Sequence, residues 1–260
     1  MKKLLILTMM LLFTLSASAQ LISAARDTQG VKFGMRGSVA LSSMNQTAAL
    51  FALSLNEGGA VELRPLAAFA VGFAWDIPVL KSFHFNLELK YTMKGERIKS
   101  SGSIQYHDYK SVRSDRLSYI ELPIQPQFRL NFSPQKHLNL NAGPYVAFAV
   151  IGCEKERIHF DYRGERYDVR LNVFTGRSYT KNGHDKREWT PGSEDFKAFY
   201  NRFDFGVAFG TDYVIDRFHV GVSFDLGLFD IYELELTELY ELFYTPIKNR
   251  TALFTLGFDF

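Results

Sequence analysis

Apolar and polar residues alternate through most of the chain, and that period predicts strands. In FHFNLELKYTMK, Phe83, Phe85, Leu87, Leu89, Tyr91 and Met93 fall on one face. His84, Asn86, Glu88, Lys90, Thr92 and Lys94 fall on the other. In YIELPIQPQFRLNF, Ile120, Leu122, Ile124, Phe128, Leu130 and Phe132 oppose Glu121, Gln125, Gln127, Arg129 and Asn131. Residues 202–215 set Phe203, Phe205, Val207, Phe209, Tyr213 and Ile215 against Arg202, Asp204, Gly206, Ala208, Gly210 and Asp212. Residues 218–228 repeat the pattern, with His219, Gly221, Ser223 and Asp225 on the polar side. Segments 31–43, 66–77, 138–151 and 251–260 bring the count to eight strands.

A soluble sandwich also alternates, so strand length and connection length carry the distinction. Most of these runs reach ten residues or more. Ordinary strands average ~5–6 residues, and a tilted membrane strand needs ~9–11. Three connections are short (78–82, 133–137 and 216–217) and four are long (44–65, 96–117, 152–199 and 231–249). Short and long alternate strictly, as in an outer-membrane barrel with tight periplasmic turns and long outward loops. The expected fold is all-β: a closed, antiparallel, up-and-down transmembrane barrel of about eight strands with both mature termini periplasmic.

The tightest turn fixes a register. With Asp216-Arg217 as a two-residue loop, Ile215 pairs with Phe218, Tyr213 with Val220, Phe209 with Phe224 and Val207 with Leu226. Every pair is apolar, and a one-residue slip would mix the faces. Asp-Arg is not a strong hairpin dipeptide, which leaves the turn type open. Within the third long connection, 157–176 reads as a hairpin turning at Arg163-Gly164-Glu165. Counting its second half as a spanning strand would place the carboxyl terminus outside. Strand five projecting beyond the bilayer, with a return strand there, keeps the even count. Segment 231–244 fits either a helix or an extension of strand seven.

The amino-terminal stretch MKKLLILTMMLLFTLSASAQ changes the compartment. A basic start, an apolar run too short to span and the Ala17-Ser18-Ala19 pattern read as a signal peptide over 1–19, leaving a barrel domain over 20–260. Removing Lys2 and Lys3 from 30 basic residues leaves 28, equal to the 28 acids. That balance gives no electrostatic case for nucleic acid. The single cysteine, Cys153, excludes an intramolecular disulfide and a zinc–cysteine cluster.

Residues 119–150 resemble the PorT-like family of outer-membrane β-barrels of Gram-negative bacteria. The resemblance rests on Tyr119, Glu121 and Pro123 in one strand and Gly143, Pro144 and Tyr145 in the next. It implies an outer-membrane barrel of about eight strands whose named relative is linked to protein secretion.

The inward face of such a barrel would carry Glu88, Lys90, Glu121, Arg129, Arg202, Asp204, Asp212 and Asp225. Charges shut away from water need partners, so these eight are expected to form a polar network filling the lumen. A narrow polar path or ligand pocket is the alternative, because Ala68, Ala70, Gly72 and Ala74 leave space on one side. No pair of histidines has helical metal-ligand spacing and there is no Gly-x-Ser-x-Gly elbow. The expectation is therefore no catalytic residue, no metal and no cofactor. A lipid-modifying barrel enzyme ranks behind an interaction protein and a small-solute pore. Trp75, Tyr91 and Tyr119 are candidates for interfacial girdles, and Tyr145 has inward parity.

The chain closes on FTLGFDF, with Phe254, Leu256, Phe258 and Phe260 on one face. This is expected to pair with the first strand. Phe258 and Phe260 resemble the carboxyl-terminal signal read by the outer-membrane assembly machinery. The expected partners are outer-membrane lipid, that machinery during biogenesis, and an external or envelope protein met by the long loops.

Overall fold

A computed structural model describes residues 30–45, 60–104, 107–161, 164–182, 185–189, 200–231 and 246–260. The signal peptide reading at 1–19 and the ambiguous segment at 232–244 lie outside the described residues. Eight antiparallel strands close into a ring: β1 (Lys32–Met44), β2 (Ala60–Leu80), β3 (Phe83–Ile104), β4 (His107–Ser133), β5 (Lys136–Phe160), β9 (Phe203–Ile215), β10 (Phe218–Gly227) and β11 (Asn249–Asp259). Three short strands follow β5 outside the ring: β6 (Arg166–Asn172), β7 (Ser178–Asn182) and β8 (Asp185–Trp189).

The alternation sorts side chains as read from the sequence. Phe69, Val71, Phe73, Ile120, Ile124, Phe254 and Leu256 are exposed on the outside, while Ala70, Glu121, Asp225 and Leu253 are buried inside. A contiguous aromatic and aliphatic belt is what hydrocarbon accepts and water does not. Ring closure pairs β1 with β11 from Gly34↔Asp259 to Met44↔Asn249. This leaves no open backbone edge in the lipid. Stacked rings line that seam, with Phe33 centred 5.7 Å from Phe260 and 5.5 Å from Phe73.

The β9–β10 hairpin has the anticipated register, including Ile215↔Phe218, Tyr213↔Val220, Phe209↔Phe224 and Val207↔Leu226. Asp216 supplies the turn by adopting φ = 57°. Hairpin loops of two residues favour positive φ at the first position, and Asp tolerates it better than most side chains.

The barrel wall is uneven. β1, β9, β10 and β11 have 13, 13, 10 and 11 residues, about what a tilted crossing requires. β2, β3, β4 and β5 have 21, 22, 27 and 25, so their outer halves stand above the membrane. This corrects the sequence reading of 96–117 as a loop. β3 and β4 pair continuously from Lys90↔Glu121 to Ile104↔His107. The outward face of this ladder is polar and its inward face mixes buried Glu96 and Asp115 with Ile98 and Leu117, so no apolar alternation announces it. Similarly, 152–199 contains more order than one hairpin. β6 returns along β5 from Cys153↔Asn172 to His159↔Arg166, and β7 and β8 extend the sheet sideways.

One strand serves two neighbours on the same edge. The lower part of β5 pairs with β9 from Lys136↔Ile215 to Phe148↔Phe203. Its upper part leaves β9 and takes β6. The ring and the projecting sheet diverge there, and side chains from both fill the fork.

Candidate functional site: the closed lumen

The centre of the lumen is an ion-pair cage that joins two neighbouring strands, β3 and β4, to two others across the bore, β9 and β10. Lys94 Nζ lies 2.6 Å from Glu121 and 3.3 Å from Asp204. Lys90 Nζ lies 2.9 Å from the same Glu121 and 3.2 Å from Asp225. The Lys94 and Glu121 side chains are fully removed from solvent. An isolated buried ion costs several kcal/mol of lost hydration, so one partner is rarely enough. Each lysine here meets two carboxylates. Lys94 also sits 4.2 Å from the centre of the Tyr145 ring and 5.4 Å from that of Tyr119. Tyr145 Oη donates to Asp204 at 3.1 Å, and Asn249 Nδ2 donates to Asp204 at 2.9 Å and to Tyr119 Oη at 3.3 Å.

The strand motifs at 119–123 and 143–145 converge on this cage. β4 and β5 pair with Tyr119↔Ala149, Glu121↔Ala147 and Pro123↔Tyr145. Tyr119, Glu121 and Tyr145 thereby surround one ammonium. Gly206 gives the Tyr145 ring its place: a Cβ there would lie 2.6 Å from the ring and 2.2 Å from Leu226 O. Tyr119 is wholly buried, so it is not a girdle residue. It shares the parity of Glu121, which points inward. Trp75 and Tyr91 face outward, where they touch Phe33 and Phe69.

Towards the end that carries the short turns, two smaller clusters close the bore. Asp76 pairs with His84 Nδ1 at 2.8 Å and with Arg129, and Arg129 Nε donates to Asn139 at 3.1 Å. Across the barrel, Asp259 meets Arg36 and His219, each at 2.8 Å. Between these clusters and the cage lies a cavity of about 30 Å³ bordered by Arg36, Gly72, Glu88, Asp212 and Asp225. That volume admits about two waters. The small residues of β2 are thus met by long side chains from other strands.

Above the cage, an apolar layer covers the mouth. Met44, Leu117, Val173, Tyr200, Ile231 and Ile247 pack together there. Backbone bonds hold the layer in place: Ile231 N to Ile247 O at 2.9 Å, Asn201 N to Ile231 O at 2.8 Å and Val173 N to Gly152 O at 3.3 Å.

Of the eight lumenal candidates, Lys90, Glu121, Asp204 and Asp225 meet in the cage. Glu88 and Asp212 border the cavity. Arg129 belongs to the lower Asp76 cluster. Arg202 stands apart at the outer rim, 4.1 Å over the Phe174 ring and donating to Ala149 O at 3.2 Å. Sequence reasoning missed Lys94, Arg36, Asp76 and Asp259 as site residues. Lys94 continues the parity of Lys90 and was findable from it. Its contact with Asp204 spans 110 positions and exists only once the ring closes.

The projecting sheet has its own electrostatics. Glu96 is buried and accepts from Met44 N at 3.1 Å. Burial pushes its carboxyl up to about 8, and neighbouring Asp115 adds to the rise. Burial likewise raises Glu154 to about 7, although Arg113 at 3.0 Å works against it.

Residues 18–233 match the family described as outer membrane protein beta-barrel domain. The chain belongs to that family. Its place is therefore the outer membrane, which agrees with the closed β ring described above. Among solved structures, this barrel is similar to Ail, the attachment invasion locus protein of Yersinia pestis. The two share 11% identity and a TM-score of 0.36, covering 89% of this chain and 100% of that one. It is also similar to Neisserial surface protein A, at 9% identity and a TM-score of 0.32, with 89% and 100% covered. No curated protein matches the chain.

Proposed function

We propose that this outer-membrane barrel is a non-conducting interaction protein whose membrane part anchors a projecting sheet for an external or envelope partner. The observation that carries the reading is the closed bore. The Lys90–Lys94–Glu121–Asp204–Asp225 cage, the apolar layer above it and the two Asp clusters below leave room for about two waters. A solute path would need that cage dismantled, against the cost of unpairing buried charges. Among the described residues, the long β2–β5 ladders and β6–β8 carry the surface beyond the membrane.

In this reading the chain is exported by its amino-terminal signal, both mature termini are periplasmic, and Phe258 and Phe260 help the assembly machinery recognise the last strand. The Tyr119–Glu121–Pro123 and Gly143–Pro144–Tyr145 motifs favour a PorT-like role in secretion or envelope assembly. They build the cage that stiffens the barrel, so in this role the chain is a scaffold and not an enzyme.

Planar-bilayer recording with pure protein is the first test: the expected result is no reproducible unitary conductance. Channels from the intact protein would replace this reading with a pore. Crosslinking in intact outer membrane is the second, and it should capture an envelope or external protein through residues of β3–β8. Crosslinks confined to the periplasmic turns would reject the projecting sheet as the contact.

A further inference from the structure

The outward face of the projecting sheet carries a stripe of cations in one lateral row. Pairing registers place Arg64 beside Arg97, Arg97 beside Ser114, Ser114 beside Lys155 and Lys155 beside Arg170. Two of these contacts set like charges directly opposite each other, which is unfavourable on a sheet. Lys99 and Arg157 lie one outward-facing position further from the membrane, and Arg116 one position nearer. The same face holds Glu62 and Asp168, which pair with Arg64 at 2.9 Å and Arg157 at 3.5 Å. Asp108 and Asp161 lie at its tip and Glu188 at its lateral edge, outnumbered by the cations. Arg97, Lys99, Arg116, Lys155 and Arg170 have no ion-pair partner among the described residues. Arg116 Nε is also shut off from water without an acceptor. A groove of about 370 Å³ opens along this stripe, where the five cations Arg97, Arg116, Lys155, Arg157 and Arg170 outnumber the two acids Glu156 and Asp168 in its lining.

Height and facing identify the occupant. Arg116 and Ser114 share outward parity with Ile120, Ile124 and Phe128 of the lipid belt. With ~3.3 Å per residue and a tilt near 40°, Arg116 stands about 10 Å above Ile120 and the row about 15 Å. The headgroup zone of a simple phospholipid reaches only about 5–8 Å past the hydrocarbon. The cations therefore look sideways along the membrane, at a level that only a tall headgroup reaches.

We propose that this stripe binds the phosphorylated oligosaccharide headgroup of an outer-leaflet glycolipid. Phosphates seated between neighbouring strands relieve the Arg64–Arg97 and Lys155–Arg170 repulsions and offer Arg116 Nε an acceptor. The inference rests on the sheet facing outward, as proposed above. Each cation near a charged membrane surface is worth about fivefold in binding.

The test measures glycolipid retained by the full chain in neutral detergent, using lipopolysaccharide and its enzymatically dephosphorylated form as probes. Wild type should retain the phosphorylated form at least about tenfold better, and added salt should reduce that margin. The variant R97Q/R116Q/K155Q/R170Q should lose the preference, and R97Q/K155Q should show an intermediate loss. Heat-modifiable migration of both variants verifies the fold. Equal retention of the two probes, or unchanged retention by the folded quadruple variant, would overturn the proposal. So would binding of soluble heparin fragments with no competition from lipopolysaccharide. Protease cleavage of the projecting sheet on intact cells checks its orientation separately, so a wrong orientation is not mistaken for a wrong ligand.

Discussion

Inside the barrel, Lys94 meets Glu121 at 2.6 Å with neither side chain touching water. On the projecting sheet, Arg157 meets Asp168 at 3.5 Å with both largely in water. The chemistry is the same and the consequences differ. The buried lysine holds its place because removing it strands carboxylates that water cannot reach. The exposed arginine is screened and hydrated with or without its partner. Charge in the lumen therefore fixes the packing, while charge on the sheet is available to other molecules.

The comparison breaks first at the cage. Lys94→Met should cost about 3–5 kcal/mol by leaving Glu121 and Asp204 undercompensated. Urea unfolding in lipid vesicles measures this, and a loss below about 1 kcal/mol would mean that the cage does not govern stability. Gly206→Ala should cost about 1–3 kcal/mol, because its methyl would press on Tyr145 and on the β10 backbone. The same unfolding assay reads it, and Tyr145→Phe should leave the clash in place.

The projecting sheet should respond to pH. Glu96 and Glu154 hold their protons to about 8 and about 7 in the folded state, above the ordinary carboxylate value. The folded state therefore binds more protons than the unfolded one between the ordinary range and pH 8. Its advantage is complete at low pH and fades as pH rises through 7 to 8. Amide exchange in β3 and β4 above the membrane should be several-fold slower at pH 5 than at pH 8, after correction for intrinsic rates. Glu96→Gln should flatten much of that difference, and an unchanged pH profile in this variant would exclude Glu96 as its source. Arg157→Ala should change stability least, by about 0.5 kcal/mol or less. A larger loss would erase the distinction between lumen and sheet.

Legibility in the sequence followed the same division. Where one face meets lipid, Phe203 to Ile215 and Phe218 to Leu226 alternate so strictly that the pairing register could be written down in advance. Where no face meets lipid, the period vanishes. Lys99, Ser100, Ser101, Lys110 and Ser111 read as loop, yet they belong to one continuous ladder. The β7–β8 hairpin lacked an apolar face too, although Asn182-Gly183 is a turn signal. Within the lumen, parity named the residues that point inward but not their companions. Lys94 and Asp204 become neighbours through ring closure, and no local pattern encodes that. Tyr119 shows the opposite error: its parity was clear, and its suitability for a membrane interface outweighed it.

β5 continues unbroken from the short turn before Lys136 to Phe160 in the projecting sheet, exchanging β9 for β6 along the way. A load applied at the outer tip is consequently borne along covalent backbone into the barrel wall. It acts parallel to β5 and β4, so their many hydrogen bonds must yield together instead of unzipping one at a time. The molecule is mechanically a mast stepped through the deck, suited to holding a surface under tension without a hinge at the membrane.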